Sequence, residues 1–257
     1  MPRLTLVLLL LACVVSAAAQ TGVKDPQAVT LINSCLSASG GSQAVAGVQD
    51  FMASGTATFN WDSQTQATAA LKSRGSANQF RFDATLSNGT RSWAVSNGTG
   101  LLSDIDQTRT PFTYQTAYGL RSLSWPVVDF TGALSDPAAT ISYVGLVSSD
   151  QGQAYQIHIQ ETYAAGTDPA GTLSSASARD YFIDPSSFLL VEIKNTQSYG
   201  SPPQNYGESI LFSSYTNVNG LMIPFSVTEL VSGQRTWVVQ LTSVSLNVGL
   251  TDADFQL

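Results

Sequence analysis

Few side chains in this sequence could carry covalent or acid–base chemistry, and their spacing matches no catalytic set. His158 is the only histidine. It lies in an alternating stretch, Tyr155 to Tyr163, with Ile157 and Ile159 on the opposite face, so it reads as a solvent-facing or internally satisfied strand residue rather than a base. No Gly-x-Ser-x-Gly elbow precedes a helix, and no group of His and Cys has zinc spacing. Asp180 with Asp184, and Asp252 with Asp254, are paired carboxylates of the kind that glycoside hydrolysis or calcium binding uses. Both pairs lie near strand or chain ends, where Asp commonly serves in turns and caps, and that role accounts for them without a site. Arg179 and Arg235 are expected to pair with carboxylates at a sheet rim. These residues supply no catalytic group, no metal ligand and no cofactor site, and the reading is of a protein that is not an enzyme.

The cysteines are explained by export. Arg3 is a short positive region, Leu4 to Val15 an apolar one, and Ala17-Ala18-Ala19 a small-residue cleavage signal, so residues 1–19 read as a signal peptide. Leu10-Leu11-Ala12-Cys13 loosely resembles a lipobox, and lipid anchoring through Cys13 is the alternative. Cleavage before Gln20 leaves Cys35, which has no internal disulfide partner and falls on a helical apolar stripe; it reads as a core residue. No later run is long enough to cross a bilayer as a helix. Residues 20–257 read as a single domain, periplasmic or secreted, and a monomer. A net charge of −7 with only Lys24, Lys72 and Lys194 as lysines argues against a basic patch, and so against nucleic acid and anionic lipid headgroups as partners.

The elements that must position everything else are strands. Tyr206 to Asn217, Leu221 to Val231 and Gln234 to Asn247 form a meander joined by turns at Asn219-Gly220 and Ser232-Gly233. Leu221, Ile223, Phe225, Val227 and Val231 share one face of its middle strand. The third strand is less polarised, with Trp237, Val239 and Leu241 on one side and Val238, Val244 and Leu246 on the other. Both faces of the sheet are therefore expected to meet a helix, a second sheet or a ligand.

Earlier in the chain, Asp25 caps a helix begun by Pro26, with Ala28, Leu31, Ile32, Cys35 and Leu36 in its stripe and Gly40-Gly41 at its end. Strands follow at Phe51 to Trp61, Ala67 to Arg74, Asn78 to Leu86, Arg91 to Ser96 and Leu101 to Gln107. Asn88-Gly89 and Asn97-Gly98 are read as hairpin turns, which explains their match to the glycosylation sequon. Thr110 to Leu134 interrupts the strands with aromatic residues. Gln115 to Leu123 reads as a short helix, and Ser124 as the cap of another that begins near Pro126 and buries Val127, Phe130 and Leu134. These helices either plug one end of the core or form a lid over an apolar cavity. Strands resume at Thr140 to Ser148 and Gln153 to Tyr163, and a mobile Gly/Ser/Ala loop spans Ala164 to Ala178. Two more strands, Arg179 to Ile183 and Phe188 to Thr196, lead through a flexible Gly200 to Gln204 into the meander.

Four stretches together resemble one family: the exported helix ending in Gly40-Gly41 and leading to Val48-Gln49-Asp50-Phe51-Met52-Ala53-Ser54-Gly55; Tyr181-Phe182-Ile183-Asp184-Pro185-Ser186-Ser187-Phe188-Leu189-Leu190; Val218-Asn219-Gly220-Leu221-Met222-Ile223-Pro224; and the tail Leu246 to Phe255. Their order is similar to that of bacterial periplasmic proteins of the outer-membrane lipoprotein carrier and sorting superfamily. The resemblance implies a mainly β fold, a strongly curved antiparallel sheet or incomplete β-barrel with an N-terminal helix and short inserted helices as plug or lid. It also implies an apolar concave face suited to lipid or lipoprotein acyl chains. The leading expectation is a noncatalytic carrier. The alternatives are an envelope interaction or stress-sensor protein on the same fold and, behind it, a secreted hydrolase, which would need His158 or an Asp pair converging in a cleft. Expected ligand contacts are Tyr118, Leu123, Trp125 and Phe130 from the inserted helices, with Ile223, Phe225 and Val227 from the meander; Trp237 is the candidate on the other face. Envelope proteins are the further expected partners.

Overall fold

The computed structural model describes residues 21–60, 64–75, 79–96, 99–111, 125–163, 166–199 and 204–257. Helix α1, Pro26–Ala38, begins where the sequence signals it: the Asp25 carboxylate accepts from the backbone N–H groups of Gln27 and Ala28 at 2.7 and 3.1 Å. That satisfies two of the orphan donors of the first turn. Its stripe of Ala28, Leu31, Ile32, Cys35 and Leu36 is buried. Gly40 ends it at φ +120°, and a Cβ there would lie 2.5 Å from the Gly220 carbonyl oxygen, so the close approach of helix end and hairpin requires glycine. A short α2, Ser42–Ala46, follows, which the sequence reading had not placed.

Thirteen described strands form one antiparallel sheet. In chain order they are β1 Asp50–Asn60, β2 Gln64–Arg74, β3 Gln79–Leu86, β4 Gly89–Ser96, β5 Thr99–Ser103, β6 Arg109–Pro111, β7 Ala139–Ser149, β8 Gly152–Glu161, β9 Arg179–Ile183, β10 Leu190–Tyr199, β11 Gln204–Val218, β12 Leu221–Val231 and β13 Gln234–Leu246. Helix α3 is Val127–Ser135 and α4 is Thr172–Ser177. The spatial order β6-β5-β4-β3-β2-β1-β13-β12-β11-β10-β9-β8-β7 is sequential except where β1 pairs with β13. The sheet therefore ends in two edges, β6 and β7, and does not close into a barrel. Backbone bonds from Val23 and Asp25 to Ile141 cover part of the β7 edge, which limits edge-to-edge pairing there.

The terminal meander matches its sequence signals. Asn219 and Gly220, and likewise Ser232 and Gly233, all have positive φ, the signature of the type I′ turn. One expectation is overturned. A bulge opposite Ser54/Gly55 inserts Thr242 into β13 and shifts its phase. Trp237, Val239 and Leu241 before it, and Val244 and Leu246 after it, consequently all pack on the same core. β13 is one-sided, and its mixed alternation reflects the bulge rather than two covered faces.

Other corrections are local. Gly89 pairs with Leu86 in the ladder, so the β3–β4 turn residues are Ser87 and Asn88, one position earlier than the Asn-Gly reading. β6 was hidden because a three-residue strand carries too little alternation to register. The Ala164–Ala178 loop contains α4, whose first turn donates from Leu173 and Ser174 to the Asp168 carboxylate. Pro126 occupies the cap position of α3 with no side-chain bond, rather than Ser124, which lies outside the described residues. Asn97-Gly98 and Gln115 to Leu123 also lie outside them.

Candidate functional site

The concave face of the sheet is where a ligand could be shielded from water, and its two ends differ. At one end α1 and α3 fill it. Trp125 is 3% exposed and its indole N–H donates to the Met222 carbonyl at 3.3 Å. Phe130 is fully buried, its ring 5.0 Å from that of Tyr181, whose hydroxyl donates to Asp129 at 3.3 Å. Ile223 belongs to the same packed cluster. Burial pushes the Cys35 thiol up to about 12, so it is a small apolar core residue here.

The other end is lined by strands β1–β4 and β11–β13. Ala57, Ala69 and Ala84 form a floor with no exposed surface. Over it stand Phe59, Phe82, Trp93 and Trp237: Phe82 lies 5.2 Å from Trp93 and 6.1 Å from Trp237, and Phe59 lies 6.3 Å from Trp93. Small residues below and large rings above are what sharp curvature demands, because side chains on the concave side converge. Val227 faces Val239 across the ladder beside this row.

Of the residues expected to contact ligand, Trp125, Phe130, Ile223 and Val227 are all buried in the one core cluster, Val227 beside the aromatic row, and Phe225 is partly exposed against it. Tyr118 and Leu123 lie outside the described residues. Trp237 lies on the same concave face as Val227, not on the other side of the sheet, because it pairs with Glu229, two residues along β12 from Val227.

Two polar features follow from the register. Glu229 pairs with Trp237 in the ladder and so points inward, and Glu208 lies diagonally across from it on β11. Desolvation, together with the neighbouring Glu208, pushes the Glu229 carboxyl up to about 8, while Thr236 donates its hydroxyl to it. The signal was present: Glu229 is in phase with Ile223 and Val227, and Glu208 with Ile210 and Phe212. The second feature is on the convex face, where the His158 Nδ1–H donates to Asp180 at 2.9 Å. His158 is thus an internally satisfied strand residue, as its alternation indicated. Asp180 and a hydrogen bond with Gln160 raise its pKa.

The remaining carboxylates have structural roles. Asp184 accepts from the N–H groups of Ser186 and Ser187 in its turn. Asp254 joins a capping box with Thr251 and pairs with Lys72 at 2.8 Å, which with the Thr251 N–H lowers its pKa to about 2. Asp252 takes Arg74 and Gln79. Among the described residues no group of three or more metal-ligating side chains converges.

A curved, unclosed antiparallel sheet with helices seated in its concavity is also the fold of a LolA superfamily protein. The comparison with solved structures gives this directly. A LolA superfamily protein from Nitrosomonas europaea superposes with a TM-score of 0.55 at 10% identity, covering 93% of this chain and 99% of that one. An outer membrane lipoprotein-sorting protein domain from Vibrio parahaemolyticus gives 0.56 at 10% identity, covering 89% and 97%. No protein-family model matches the chain, and no curated protein matches its sequence. At this identity the likeness is one of fold.

Proposed function

We propose that the protein is a noncatalytic carrier or binding protein for an apolar ligand, a lipid or lipoprotein acyl chain, that acts in the periplasm or cell envelope after export. The observation that carries this reading is a concave face lined by apolar and aromatic side chains on a fold shared with lipoprotein-sorting proteins. Shielding is worth about 0.8 kcal/mol per buried CH₂, so a fatty acyl chain rewards such a face strongly. In this reading Trp125, Phe130, Tyr118 and Leu123 form the cover, and Ile223, Phe225 and Val227 the wall. Because Trp125 and Phe130 are buried in the core, loading requires α3 to lift and the Trp125–Met222 hydrogen bond to break. No described helix is long and apolar enough to cross a membrane.

The test is native mass spectrometry of protein purified from its own envelope, with extraction of any bound mass. A bound lipid or acylated peptide that is lost in folded Phe225→Asp or Trp125→Asp supports the carrier. A clean apo mass that also refuses fluorescent fatty acids sinks it. The same burial of Trp125 and Phe130 favours a second reading, an envelope interaction or stress-sensor protein with a filled core, which expects that second result.

A further inference from the structure

β9 has five residues between ten-residue neighbours. β8 runs on past its start to Glu161, and β10 continues to Tyr199, so the sheet carries a notch where β9 begins at Arg179. A cleft of about 490 Å³ fills it, lined among others by His158, Ser175, Arg179, Asp180, Lys194 and Asn195. Arg179 and Asn195 alternate with the inner face, in phase with Tyr181 and Ile193, whereas His158, Asp180 and Lys194 belong to the outer face. The notch therefore joins the concave side to the exterior.

Cationic side chains gather at it. Two of the chain's eleven Lys and Arg residues and its only histidine meet here, although the chain as a whole is acidic. Facing them are Asp180 and, beside Lys194, Asp150 and Glu192, each 3.3 Å from its ammonium. Those two carboxyls hydrogen-bond one another, and burial raises Glu192, which favours one proton held between them. α4 contributes no titratable side chain. Asn195 Oδ1 is buried with no hydrogen-bond partner, a cost that a ligand's hydroxyl would relieve. His158 is not poised as a catalytic base beside Ser175, because its ring is held between Asp180 and Gln160.

We propose that this notch binds a hydroxyl-bearing phosphate ester, its phosphate oxygens on Lys194 within the field of His158 and Arg179, and its hydroxyl donating to Asn195. The ester comes either from a lipid headgroup, in which case the inference rests on the carrier reading, or from a free small molecule.

Calorimetry on the folded chain with three probes separates the cases: glycerol phosphate, an acyl glycerol phosphate, and the monoacylglycerol of the same chain length. The acyl phosphate is expected to bind about tenfold tighter than the monoacylglycerol, and Lys194→Gln and His158→Gln each to erase that difference. Backbone amide shifts at Asn195 and Thr196 locate the binding. If glycerol phosphate binds at the notch and neither acyl probe improves on it, the notch stands as a free-ester site and the carrier reading fails. If both acyl probes bind equally and the variants change nothing, the notch is overturned and the carrier stands. Binding of no probe overturns both.

Discussion

Phe82 on β3 and Trp237 on β13 have two strands, β2 and β1, between them in the sheet, yet their ring centroids lie 6.1 Å apart. Across a flat sheet that separation would be about 14 Å at the usual strand spacing. The difference measures how tightly the sheet curls over its alanine floor. The curl is what makes a concave face at all.

Removing the far ring should therefore open the curl. Trp237→Ala is expected to lose about 3–5 kcal/mol of stability, and Trp237→Phe clearly less, since a buried aromatic truncated to alanine leaves a cavity the sheet cannot fill. Urea unfolding followed by far-UV circular dichroism reads both. A Trp237→Ala loss below about 1 kcal/mol would mean that the aromatic row does not hold the curvature.

Gly55 faces the β13 bulge, and a Cβ there would lie 2.0 Å from the Gln240 carbonyl oxygen. Gly55→Ala should cost about 1–3 kcal/mol through backbone displacement. Thr56→Ala, one residue on and exposed, should be close to neutral. Equal melting temperatures for the two variants would show that the bulge tolerates a side chain.

Glu229 sets a pH dependence. Its carboxyl rises from an ordinary 4.5 to about 8 on folding, so the folded state holds a proton that the unfolded state releases. Stability should then fall as pH climbs from about 4.5 to about 8 and level off above that. Glu229→Gln should flatten this slope and melt higher than the parent at pH 8. A parent curve with no decline across that window refutes the arrangement with Glu208.

The His158–Asp180 bond acts in a different window. The histidine is raised and the aspartate lowered by their contact. The histidine's share of stability is full below its unfolded value near 6.5 and is lost as pH rises through the raised one. The aspartate's share is present above its unfolded value and lost as pH falls through the lowered one. His158→Gln should remove the alkaline-side loss while keeping a donor to Asp180. Nuclear magnetic resonance titration of the ring should give a His158 pKa above 6.5, and a value below it would rule out the charged pair.

Much of the fold was legible locally. Asp25-Pro26 and the Asn219-Gly220 and Ser232-Gly233 turns are short-range signals, and the structure follows them. The misses were equally physical. Thr242 reversed the phase of β13 because a bulge depends on a partner strand, and β6 was too short to show a period. In the candidate site, Ile223 and Val227 were readable from their period, whereas the packing of Trp125 onto Met222 was not, because that contact spans 97 residues.

The sequence by itself determined a β-protein with a capped first helix, hairpin-linked strands and a family-like order of turns, since each depends on neighbours in the chain. Only the tertiary structure decided which side chains meet. β1 pairs with β13 nearly two hundred residues later, and that pairing bends the sheet until Phe82 reaches Trp237 and fixes the face on which Glu229 sits. The short β9 likewise brings His158, Lys194 and Asn195 around one notch from separate strands. Cross-strand register between distant segments leaves no periodic trace in either segment, so no reading of one stretch could have supplied it.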